Sequence, residues 1–159
     1  MKRIALLATL IAAVGLTSCG SYSLRTITLN SLKVGSTTES TELSGIGGQL
    51  QLEATGNYSN YTSKGLTGRV TYNISITPGS TDANGFGLPT PPNGITVDST
   101  GLITAVIPGV CTYNEVTTNP PTYVLTGSYT ITATFDGITS NPVYIAMNSG
   151  AGPNGTCGP

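Results

Sequence analysis

Histidine is absent from all 159 residues. That removes the imidazole on which Ser-His-Asp and Cys-His nucleophiles depend, and with it most transition-metal sites. Hydrolysis by paired acids would need two of Glu39, Glu42, Glu53, Asp82, Asp98, Glu115 and Asp136 to converge. Most of these stand at turns or on the polar side of alternating segments. Ser–Lys chemistry would have to use Lys33 or Lys64, and neither lies in a recognisable motif. The inventory therefore points to a non-catalytic protein, with no catalytic residues, no resident metal and no cofactor. Asp82-Ala83-Asn84-Gly85 has the oxygens and turn glycine of part of a calcium loop but lacks the later carboxylate that would complete it. A plain Asx-turn is the simpler expectation. Recognition chemistry is better supplied. Phe86 and Tyr113 lie in long connections, and Tyr58 and Tyr61 in a shorter one, among Ser, Asn and Gly. The competing role for these rings is to cover the ends of a core.

Alternating stretches must position these residues. Ile95-Thr96-Val97 and Leu102-Ile103-Thr104-Ala105 flank Asp98-Ser99-Thr100-Gly101, where Gly101 suits a left-handed turn position and Asp98 accepts a turn hydrogen bond. Pro108-Gly109 stops the second of these strands. Ser128 to Phe135 alternates strictly and ends in Asp136-Gly137, a two-residue hairpin signal. Strands are expected at 25–32 (Ile27 and Leu29 on one face), 49–56, 69–76, 95–97, 102–106, 128–135 and 143–147. Period-two alternation punctuated by Gly, Pro and Asn, with no long helical period, predicts an all-β protein of two packed sheets.

The run from Ile95 to Ala105, the following Pro108-Gly109 and the later Tyr129-Thr130-Ile131-Thr132-Ala133-Thr134 resemble a bacterial immunoglobulin-like domain of group 2. Leu50 to Tyr58 is similar to that family's second strand and Leu66 to Tyr72 to its third. The resemblance covers roughly residues 25–147 and implies an immunoglobulin-like β-sandwich of about seven antiparallel strands. Tyr72 stands where the family often has tryptophan, and insertions at 77–93 and 110–126 interrupt the pattern. Domains of this family serve in adhesins, envelope proteins and enzyme accessory modules.

The N-terminus carries a second resemblance. Lys2 and Arg3 precede an apolar run from Ile4 to Leu16, too short for the roughly 20 residues that span a bilayer. Leu16-Thr17-Ser18-Cys19 looks like a bacterial lipobox, which implies lipidation of Cys19; the alternative is an ordinary secretory signal with a chance cysteine. Gly20 after that cysteine implies sorting to the outer membrane. Lipidation of Cys19 leaves Cys111 and Cys157 as a pair, expected to be a disulfide in an oxidising envelope, with two free thiols as the alternative.

The expected organisation is a lipoprotein signal peptide at 1–19, a short tether at 20–24, the sandwich at 25–147 and a Gly-rich tail at 148–159. Without the signal, four basic and seven acidic side chains remain, which argues against nucleic acid and against a polybasic membrane footprint. If the first strand leaves the membrane, strand alternation places 33–48, 77–93, 107–127 and 148–159 at the opposite, distal pole. The expected function is non-catalytic: a lipid-anchored protein binding another envelope protein or a glycan through that pole, with Phe86 and Tyr113 in its surface, or serving structurally. A cell-surface adhesin domain and an accessory subunit of a polysaccharide-processing complex are the alternatives.

Overall fold

The computed structural model describes residues 26–150 and 152–157. The signal segment, Cys19 and the 20–24 tether lie outside the described residues. Twelve strands carry the fold: β1 (Leu29–Ser36), β2 (Glu42–Ser44), β3 (Gln49–Tyr58), β4 (Ser63–Gly65), β5 (Thr71–Ile76), β6 (Ile95–Val97), β7 (Leu102–Ala105), β8 (Tyr113–Thr118), β9 (Pro121–Leu125), β10 (Tyr129–Phe135), β11 (Ile138–Thr139) and β12 (Val143–Asn148). Among the described residues there is no α-helix, only a 3-10 turn at Thr67–Arg69. No helix there is long and apolar enough to cross a membrane.

Two five-stranded sheets form. The first has the order β1-β3-β7-β6, with β4 also on β3. In the second, β10 takes β5 on one side and β11 and β12 in succession on the other, and β2 adds to β12. The β2–β12 pair is parallel and the other strand pairs are antiparallel. A separate two-stranded sheet is the β8–β9 hairpin. One core lies between the five-stranded sheets. Val34, Leu52, Ile95 and Ile103 enter it from the first sheet, and Tyr129, Ile131, Ile145 and Met147 from the second. Each is almost wholly buried, and burying a side chain of this kind contributes roughly 1.5–3 kcal/mol. Tyr129 satisfies its polar tip by donating to the Pro89 carbonyl at 2.9 Å.

The turns behave as their residues dictate. Gly101 has φ +80°, and the Thr100 and Leu102 N–H groups both donate to Asp98 Oδ1, at 2.7 and 3.0 Å. Asp136 and Gly137 both have positive φ, and Phe135 pairs with Ile138 across them. Regular strand pairing ends after Thr139: Ser140 N–H still donates to Ala133 O at 2.8 Å, but the Ala133 N–H does not return to the Ser140 carbonyl. Ser140 Oγ accepts the Ala133 N–H instead, at 3.0 Å. The adjacent Asn141 reaches across to the first sheet, accepting from Val34 N–H at 2.9 Å and donating to Val34 O at 3.0 Å.

Three expectations need correction. Among the described residues twelve strands are present, not about seven. The first strand starts at Leu29 rather than 25, and Ile27 is 58% exposed instead of facing the core. A register shift between Leu29 and Ser31 changes the strand's phase, so Leu29, Leu32 and Val34 point inward. The 110–126 insertion and the 57–65 loop are not plain loops, since they contain the β8–β9 and β3–β4 hairpins.

Candidate functional site

The chain enters the fold beside the 57–65 loop, where Ser59 N–H donates to Thr28 O at 2.9 Å. The opposite end gathers the β2–β3 corner, the 80–87 loop, the β8–β9 hairpin and the 152–157 tail. Ile46 N–H donates to Gly155 O and Asn154 N–H to Ile46 O, both at 2.9 Å. Ala83 N–H donates to Cys111 O at 2.8 Å, and Thr81 N–H to Thr126 O at 3.1 Å. Gly45 sits at φ +59° against the tail, where a Cβ would run into Gly152 N. A side chain there would meet both backbone strain and collision.

Cys111 and Cys157 form the expected disulfide, with an S–S distance of 2.06 Å and Cα atoms 5.1 Å apart. The bond ties the stem of the hairpin to the tail. Thr112, next in the chain, is fully buried and reinforces the stem. Its N–H donates to Met147 O at 2.9 Å, and its Oγ1 accepts the Met147 N–H at 2.8 Å. Thr126, on the returning strand, donates its N–H to Thr112 O at 2.7 Å. Beyond this stem, β8 and β9 project with nearly every residue exposed. Val116, Tyr123, Val124 and Leu125 therefore present apolar surface to solvent.

Register places Tyr113, Glu115, Tyr123 and Leu125 on one face of the hairpin. That face overlooks an open groove of about 440 Å³, lined by Glu42, Tyr113, Tyr123, Asn148, Ser149 and Gly150. Glu42 is its polar centre. Tyr113 Oη donates to Glu42 Oε1 at 2.6 Å, and Asn148 Nδ2 donates to Glu42 Oε2 at 3.1 Å. Asn148 Oδ1 accepts the Gly150 N–H at 3.0 Å. The hydrogen bond to Glu42 is the largest cause that pushes the Tyr113 hydroxyl up to about 12, since losing its proton would leave two negative groups in contact.

Asp82 forms the Asx-turn, with Oδ1 accepting from Asn84 N–H at 2.9 Å and from Phe86 N–H at 2.8 Å. Among the described residues no group of three or more His, Cys, Asp or Glu side chains stands close enough to hold a metal. Phe86 is 71% exposed at the end of this turn and does not line the groove. Phe86 and Tyr113, the pair expected in the distal binding surface, thus share an end of the molecule but not a cavity. Sequence patterning marks Glu42 only as one of seven carboxylates and does not mark Asn148 at all. Tyr123 lies opposite Glu115 and Tyr113 opposite Leu125 across the turn at Asn119-Pro120, the one local signal of the hairpin. Neither the known family models nor the curated protein sequences match this chain.

Proposed function

We propose that this protein is a lipid-anchored envelope lipoprotein with one immunoglobulin-like sandwich of the bacterial group 2 kind, and that it binds another envelope protein or a glycan without catalysis. The sheet order supports the fold reading. β1, β3, β7 and β6 partition against β5, β10 and β12 as four strands against three, the arrangement of a constant-type immunoglobulin domain. In that frame β2 is the part of the first strand that crosses to the second sheet, and β4, β8, β9 and β11 are elaborations. Lipidation of Cys19 by an outer-membrane sorting route remains the anchor in this reading.

One observation carries the functional reading. The hairpin, the 80–87 loop and the tail are fastened together at the end opposite chain entry, and there they expose Phe86, Val116, Tyr123, Val124 and Leu125. Rigid loops with exposed aromatic and apolar groups are the usual platform for recognition. The test is photo-crosslinking in native membranes from Tyr123 and, separately, from Tyr61 at the entry end. Adducts from Tyr123 with none from Tyr61 support the reading. Adducts from Tyr61 alone would move the binding surface to the entry end.

A further inference from the structure

We propose that the groove between β8–β9 and Asn148–Gly150 receives a lysine or arginine side chain presented by a partner protein; this rests on the reading of the far end as a binding surface. Tyr113 gives its single hydroxyl hydrogen to Glu42, and Asn148 gives an amide hydrogen to the same carboxylate. An ionised carboxylate accepts at about four lone-pair sites and donates nothing. With two of them used, the groove centre offers acceptors to a visitor. A group that brings only donors, such as an ammonium or guanidinium, suits it best.

Charge points the same way. Glu42, Asp82 and Glu115 lie at the far end, and Glu115 shares the hairpin face of Tyr113 and Tyr123. The cations among the described residues are Lys33, Lys64 and Arg69. Lys33 pairs with Thr55 in the middle of the first sheet. Lys64 lies over the Tyr58 ring at 5.5 Å and Arg69 over the Phe135 ring at 5.3 Å, both at the entry end. The chain therefore covers aromatic faces with its own cations at one end. At the other, no cation among the described residues accompanies the two tyrosines and the carboxylate. Such a set attracts a cation through both the ring faces and the charge. An uncharged glycan would gain from the rings but not from the carboxylate's charge.

The experiment uses the full chain in a neutral detergent, with backbone amides followed by NMR. The probes are acetyl-Gly-Lys-Gly-amide, its norleucine counterpart and cellohexaose. The expected result is a saturable shift at Tyr113, Tyr123 and Gly150 with the lysine peptide and none with the norleucine peptide. Glu42→Gln should weaken that binding roughly tenfold, the scale of one charge-assisted contact. Tyr123→Leu, which leaves Glu42 and its two donors in place, should also weaken it. Equal shifts from the norleucine peptide overturn the proposal. Shifts from cellohexaose alone also overturn it, while leaving the far end as a binding surface. Failure of every probe to perturb the groove overturns it too, and the crosslinking result then decides independently whether that end binds a partner.

Discussion

At the entry end, the 57–65 loop is stitched to the first sheet by backbone bonds, Ser59 N–H to Thr28 O and Leu66 N–H to Ala54 O, and Leu66 is buried in the common core. At the far end, the β8–β9 hairpin contributes no buried side chain beyond its stem, and a disulfide with two threonines holds it in place. Burial orders the first region and fasteners order the second. A region ordered by burial must turn its apolar groups inward, whereas a fastened region can keep Tyr123, Val124 and Leu125 facing out. The far end therefore keeps a defined shape without using up its sticky surface.

The most forceful attack on this contrast is Leu66→Ala. Removing a core side chain should lower the stability of the whole domain by about 3 kcal/mol, read as a shifted urea midpoint. A change under about 1 kcal/mol would mean that the entry end is not core-held. Next comes Cys157→Ser. The chain-entropy bound for a loop of this size is about 4 kcal/mol, and the expected loss is about 2 because much of the restrained chain adds little to the core. Hydrogen exchange should quicken at 107–127 and in the tail while β3 and β10 stay protected. Uniform loss of protection would show that the two regions are one cooperative unit.

Alkaline titration is a finer probe. Tyrosine has an ordinary value of 10.0, and in the folded chain the Tyr113 hydroxyl is raised to about 12. A raised folded value means that the proton is held more tightly when folded. The stabilisation is therefore complete below pH 10 and is lost as the pH climbs through 10 to 12. Burial pushes Tyr129 to about 12 as well, so the informative quantity is the difference between the wild type and Tyr113→Phe. The wild type should show a larger loss of stability over that window, accompanied by release of the hairpin. Identical pH profiles would show that the Tyr113–Glu42 contact does not hold the arm. The smallest expected effect is that of Lys64→Ala, about 0.5 kcal/mol for an exposed cation over a ring, measured by the same urea titration. A loss several times larger would make the entry end dependent on its cations rather than on Leu66.

The legible parts of the sequence were those with local causes. Asp98 to Gly101 and Asp136-Gly137 announced their turns, and alternation found β6, β7, β10 and β12 within a residue or so. The all-β class followed from equally plain signals, whereas the pairing of Cys111 with Cys157, present in the structure, was expected only by setting Cys19 aside as the lipidated cysteine. The hairpin at 113–125 escaped because neither face is buried, so no apolar alternation marks it. β2 is three residues long and takes its identity from β12, about a hundred residues later. Glu42 was one carboxylate among seven, and nothing near it in the chain indicates that Tyr113 and Asn148 converge on it. Its importance arises from tertiary placement, which a single sequence does not display.

The seven-rung pairing of β1 with β3 has a mechanical consequence. β1 is the first strand after the point of chain entry, and it runs from Leu29 toward the far end. A pull on the chain at Thr28, resisted by something gripping the far end, would act parallel to both strands. The rungs would then share the load in shear instead of opening one after another like a zip. Asn141, bonded to both backbone groups of Val34, adds a cross-tie near the middle of the loaded strand. A tether attached at that end would meet its stiffest resistance in the first strand of the fold.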